Sequence, residues 1–190
     1  MQKTHMRVAT LAAGLLLAAT ASTAAPSKDW HWVASWGSAQ LVPEGQNELP
    51  AAQWQDASLR QVVRVSLSGR QLRVKLSNVF GTAPLFVDAA SVARAVRSGR
   101  ADVDAASLRP LTFGGATGVT IPAGAEYLSD PVDLPHAAGA DLAISLHFAQ
   151  APARQTGHPG ARATSFIARG NQVAAAAWPQ AETFARWYQI

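Results

Sequence analysis

"VVRVSLSGRQLRVKL", Val62 to Leu76, decides the fold class. Val63, Val65 and Leu67 alternate with Arg64, Ser66 and Ser68, and Leu72, Val74 and Leu76 alternate with Arg73 and Lys75. A period of two puts alternate side chains on opposite faces, the pattern of half-buried strands. Gly69-Arg70 between the two runs predicts a two-residue hairpin, with glycine at the first central position of a type II′ turn. That register sets Leu67 against Leu72, Val65 against Val74 and Val63 against Leu76, all on one face. It also sets Arg64 opposite Lys75, a destabilising like-charge pair. Either those two side chains are freely solvated, or their face meets carboxylates in this chain or in a partner.

The rest of the chain repeats the strand signal. In "DLAISLHF", Leu142, Ile144, Leu146 and Phe148 alternate with Ala143, Ser145 and His147, which places His147 outward as a solvated side chain. "LFVDAASVARA", "LTFGG", "GVTIPAG" and "ARATSFIA" are further candidates, the last with Ala163, Ser165 and Ile167 on one face. Gly, Pro, Asp and Asn punctuate the gaps, and long amphipathic helical patterns are missing. "DVDAASLRP" reads as one short helical turn. Many short strands at roughly regular spacing predict an all-β fold, an antiparallel β-sandwich or jelly-roll-like domain.

Three segments are expected. Residues 1–25 read as a secretory signal peptide: Lys3 and Arg7 form a basic start, Val8 to Ala19 an apolar run, and Ala19-Thr20-Ala21 a small-x-small cleavage signal. Residues 26–175 form the β-sandwich, and residues 176–190 a linker or strand leading out of it. The mature chain is therefore expected outside the cytoplasm, in the periplasm or the extracellular medium. It lacks cysteine, so it has neither a disulfide framework nor a thiolate metal site. No later stretch is apolar for long enough to span a membrane. The formal charge is +4, and setting aside Lys3 and Arg7 leaves 14 basic against 12 acidic residues. The arginines are scattered, and nucleic-acid binding would need them clustered.

The five histidines, His5, His31, His136, His147 and His158, form no close ligand pair, so neither a metal nor a cofactor is expected. No G-x-S-x-G elbow is present. Asp133-Leu134-Pro135-His136 fits D-x-x-H, the spacing that supplies acid and base in some serine esterases. An imidazole base needs a carboxylate to fix its tautomer and a hydroxyl to deprotonate. Here the match falls in a proline-rich turn between strands, and two fixed positions arise often by chance. Trp30 and Trp32 share a face if "DWHWVASWGSAQ" is extended, which suits either core packing or stacking on a sugar. Trp54, Trp178 and Trp187 are too scattered to form a recognisable platform.

Five stretches in fixed order carry a family resemblance: "WVASWGSAQ", "LRQVVRVSLSGRQLRVKLSNVFGTAPLFVDAASVA", "LTFGGATGVTIPAGAEYLSDPVDL", "AGADLAISLHFA" and "TGHPGARATSFIARGN". From about Trp32 to Tyr188 the chain resembles the N-terminal β-sandwich region of secreted bacterial GDSL/SGNH-type hydrolases. The resemblance implies an accessory portion of an exported ester hydrolase, truncated before its partner, a catalytic α/β domain, and inactive alone. In such enzymes the nucleophilic serine lies in a G-D-S block, which this chain lacks, and a later D-x-x-H block closes the triad. Asp133 and His136 precede where that domain would begin, so no catalytic residue carries over. The resemblance further implies that His158 and Arg162 line the junction with the catalytic domain or its ester-substrate cleft. The alternative expectation is a stand-alone secreted module that binds carbohydrate through Trp30 and Trp32 or through the Arg64/Arg73/Lys75 face.

Overall fold

A computed structural model of the chain describes residues 31–190, so residues 1–25 and Trp30 lie outside the described residues. Ala34–Ile190 forms one compact unit. In chain order it contains a helical turn α1 (Ala51–Trp54) and strands β1 (Ala57–Arg64), β2 (Gly69–Leu72), β3 (Lys75–Ser77), β4 (Leu85–Val87) and β5 (Ala89–Arg94). There follow β6 (Arg109–Pro110), β7 (Val119–Ile121), β8 (Glu126–Leu128), β9 (Val132–His136) and β10 (Asp141–Phe148). The chain closes with β11 (Gly157–Pro159), β12 (Ser165–Arg169), β13 (Glu182–Phe184) and β14 (Arg186–Tyr188). The expected turn in "DVDAASLRP" is a 3-10 turn over Ala105–Ser107, with the Asp104 carboxylate accepting from the Ala106 N–H as its cap.

The fold is all-β and sandwich-like. A six-stranded antiparallel sheet runs β13-β12-β1-β10-β5-β6, and the other strands pair as β11-β14, β2-β9, β3-β8 and β4-β7. The main core lies between the large sheet and these pairs. Leu59, Val63, Val92, Leu142, Leu146 and Phe148 of the sheet meet Leu76, Leu85, Val87, Ile121 and Leu134. Trp54 is enclosed at one end, its ring edge-on to Phe148 at 5.0 Å and to Tyr188 at 5.5 Å.

The faces of Val62–Leu76 are as the alternation predicts, but the hairpin does not form. Val63, Val65, Val74 and Leu76 are buried in one core, whereas Leu67 is 45% exposed. Gly69 lacks the positive φ that a type II′ turn requires at that position. It pairs instead with His136 across the β2-β9 ladder, where a Cβ would meet the imidazole at 3.0 Å. The chain leaves the large sheet after β1 and enters the opposite layer at β2. Arg64 therefore faces Asp141, which accepts two hydrogen bonds at 2.8 Å, and Lys75 reaches Glu126 at 3.0 Å. The like-charge pair is replaced by two opposite-charge pairs, and the outer face meets carboxylates of the same chain.

The second face of the large sheet is also covered. Val62, Ala93, Ala143 and Phe166 pack there against Ala101, Val103 and Trp178. Gly170 to Ala181 crosses this face as a strap without strands. Short polar side chains of the sheet fasten it: Ser58 Oγ donates to Gly170 O at 2.8 Å and Ser91 Oγ to Val173 O at 2.6 Å. Arg60 is fully buried beneath it, its guanidinium 4.1 Å from the centre of the Trp178 ring. Arg60 donates to Ser145 Oγ at 2.8 Å, to Ala101 O at 2.7 Å and to Ala175 O at 2.7 Å. Residues 176–190, expected as a linker or departing strand, are built into the sandwich through β13 and β14 instead.

Candidate functional site

Of the two residues singled out in "TGHPGARATSFIARGN", His158 meets aromatic side chains brought by β14 and by the segment before α1. His158 is in strand β11, and the chain turns after Pro159, at Gly160 with φ 70°. Gly157 permits the close approach of β11 to its neighbours, since a Cβ there would meet the Tyr188 ring at 2.9 Å and Pro43 at 3.0 Å. His158 lies directly across from Trp187 in the β11-β14 ladder, and the two rings stack at 5.7 Å with 23° between their planes. Trp36 meets Trp187 edge-on at 4.9 Å. His158 Nδ1 is 2.7 Å from Ala39 O. A carbonyl only accepts, so the proton rests on Nδ1 and Nε2 is left as an acceptor in the neutral ring.

Arg162 is exposed, with φ 52°, in the loop between β11 and β12. Among the described residues no hydrogen bond joins it to His158. Trp32 is 51% exposed, and the proposed pairing with Trp30 lies outside the described residues. Trp187 and Trp36 are the members of this face that sequence reasoning missed. They are 151 residues apart in the chain and share only the aromatic type, so periodicity gives no hint of the contact.

The D-x-x-H pair is directed apart. Asp133 Oδ1 accepts from Gln71 Nε2 at 2.8 Å, while His136 Nδ1 donates back to Leu134 O at 2.8 Å. Among the described residues no serine or threonine hydroxyl bonds an imidazole, and no three His, Cys, Asp or Glu side chains are grouped to hold a metal. No described helix is long and apolar enough to cross a membrane.

His147 departs from expectation. It is 6% exposed, because the face it points to is covered. Its Nε2 lies 3.1 Å from Asp56 Oδ1, and its Nδ1 is 3.9 Å from Asp88 Oδ2 without a hydrogen-bond partner. Elsewhere the charged groups stabilise loops. Asp130 accepts from the N–H groups of Gly114 and Gly115 and from the Thr112 hydroxyl, and these bonds, led by Gly115, hold its carboxyl below the usual range. The Arg64 hydrogen bonds do the same for Asp141. Burial pulls the Arg60 guanidinium down to about 10, so it stays charged at neutral pH.

Comparison with protein-family models and with curated proteins finds no match for this chain. Family and function therefore rest on the residues and their geometry.

Proposed function

We propose that this chain is the non-catalytic β-sandwich portion of an exported ester hydrolase of the GDSL/SGNH type. The nucleophile and its base are then supplied by a separate α/β domain, and the sandwich acts beside it. The observation that carries this is that, among the described residues, no serine or threonine hydroxyl is hydrogen-bonded to an imidazole. The rings of His136 and His158 each donate to a backbone carbonyl, and His147 pairs with the Asp56 carboxylate. Nucleophilic catalysis by serine needs a base within hydrogen-bond reach of the hydroxyl. The ordered stretches from Trp32 to Asn171 support the family reading, and the basic, apolar and small-residue sequence before Pro26 supports export.

In this reading the face of Trp36, Trp187 and His158, and the loop that carries Arg162, are turned to the catalytic domain or its substrate. The experiment is to read the DNA beyond the Ile190 codon in all frames. A G-D-S block close downstream is expected, and an unrelated, uninterrupted gene there overturns the proposal.

A second reading, a secreted carbohydrate-binding module, is favoured by the exposure of Trp32. Pull-down on insoluble polysaccharides distinguishes it: retention that Trp32→Ala removes supports this second reading over the first.

A further inference from the structure

We propose that the second face of the large sheet is a binding groove for a peptide of small residues bearing a carboxylate, and that the strap from Gly170 to Ala181 occupies it as a built-in stand-in. The face is polar where a covered sheet is ordinarily apolar. Arg60 of β1 lies directly across from Ser145 of β10, and Ser145 directly across from Ser91 of β5, so the three form a row over the central strands. Ser58, two residues from Arg60 on β1, shares that face. All four are buried.

These side chains recognise main chain. Ser58 Oγ donates to Gly170 O at 2.8 Å and accepts from the Gln172 N–H at 2.9 Å. Ser91 Oγ donates to Val173 O at 2.6 Å. Arg60 donates to Ala175 O at 2.7 Å and to Ala176 O at 3.4 Å. The strap groups they hold are carbonyls and one N–H, which a peptide of any sequence offers. The row is therefore a set of donors that calls for an acceptor-rich occupant.

What the strap does not supply is charge. It has no acidic residue between Gly170 and Ala181. Among the described residues no carboxylate is hydrogen-bonded to Arg60. Asp102 acts on it only through space and is itself paired with Arg100 at 3.2 Å. A buried guanidinium among neutral oxygens is the costly arrangement, since buried charges are ordinarily paired. A carboxylate in place of the Ala175 and Ala176 carbonyls accepts as they do and also neutralises the charge. Such charge-assisted bonds are roughly twice as strong as neutral ones. An acidic peptide thus has an advantage over the strap that offsets the strap's tethering beside the groove.

The strap is built to lift. The strands that flank it, β12 and β13, pair with each other with Ile167 opposite Glu182, so its two ends are pinned side by side. Its middle belongs to no strand, and raising it leaves the pairing order of the six-stranded sheet intact. Trp178, whose ring covers the Arg60 guanidinium at 4.1 Å, is the side chain that fastens it.

The test uses labelled synthetic peptides and fluorescence anisotropy. One peptide has the strap's own sequence from Gly170 to Ala181, and two others carry Ala175→Asp or Ala176→Asp, at the carbonyls Arg60 holds. The receptor is the full chain with Trp178→Ala, which loosens the resident strap, or with the milder Val173→Ala if the first does not fold. The better acidic peptide is expected to bind about tenfold more tightly than the unsubstituted one, the factor that separates a charged from a neutral hydrogen bond. Adding Ser91→Ala to the receptor should weaken all three. No binding of any peptide at about 1 mM, the scale of a short tether's effective concentration, overturns the proposal. Equal affinity for the acidic and unsubstituted peptides overturns it as well.

Discussion

Arg60→Met removes a charge from beneath the strap while keeping a long side chain there. In many proteins, exchanging a buried charged network for apolar groups is neutral or favourable. Here the opposite is expected, because the acceptors stay behind. Ser145 and Ala101 are buried, so the hydroxyl and the carbonyl that Arg60 now satisfies lose their donor in a site closed to water. Each stranded group costs about 1–3 kcal/mol. Ala175 O costs less, since its residue is only partly buried and the strap can tip it towards solvent. The guanidinium also leaves the face of Trp178, about 0.5–2 kcal/mol more. The sum is about 5 kcal/mol, and no longer burying a charge brings it to about 4 kcal/mol. At about 2–4 °C per kcal/mol the midpoint should fall by roughly 8–16 °C. Thermal unfolding by circular dichroism reads the midpoint. Trp178 emission reads the strap, and it should shift to the red as a ring now 5% exposed meets water. Arg60→Lys keeps the charge but cannot span the same three acceptors, and should fall between. A variant as stable as the wild type, with unchanged Trp178 emission, would refute the role given to Arg60.

Gly81→Ala should destabilise by about 2 kcal/mol or more, since its Cβ would lie 1.8 Å from Asn78 Oδ1 and force that side chain off the carbonyls of Ala83, Ile121 and Pro122; urea unfolding measures it. Asp130→Asn should flatten the acid end of the stability profile. The folded carboxyl is held below 3.8, so its contribution is complete above that value and lost as pH falls through the lower folded value; acid titration followed by circular dichroism checks the slope. Gln61→Ala should loosen the C-terminal strand, because the Gln61 carboxamide donates to Tyr188 O at 2.8 Å and accepts from the Tyr188 N–H. Faster amide exchange at Tyr188 than in the wild type is the expected reading.

Much of the fold is legible in the sequence because side-chain alternation encodes which face is buried. Val63, Val65, Val74 and Leu76 do share a core. Alternation does not encode the partner strand. β1 lies between β10 and β12, each at least 77 residues away at the Arg64–Asp141 pair or beyond, so a local turn signal at Gly69-Arg70 could not reveal them. The opposed Arg64 and Lys75 mark the weak point of the hairpin pattern, and in the structure each has a carboxylate partner that the hairpin does not provide. His147 reads as solvated in the sequence for a related reason. Ala143 and Ser145 beside it are small, as expected of a sheet covered on both faces, but a covering strap without strands leaves no periodic signal. The site is less legible than the fold. His158 could be noticed from its setting, but Trp36 and Trp187 become its neighbours only through the pairing of β11 with β14. Asp133 and His136 show the reverse error: a spacing that suggests chemistry, in a strand that turns the two side chains to different partners.

Hydrolysis of p-nitrophenyl acetate by the purified chain tests the proposed non-catalytic role most directly. Release of p-nitrophenol at the buffer rate, unchanged by His136→Ala or His158→Ala, is the predicted result. Turnover well above that rate, abolished by either substitution, would contradict it.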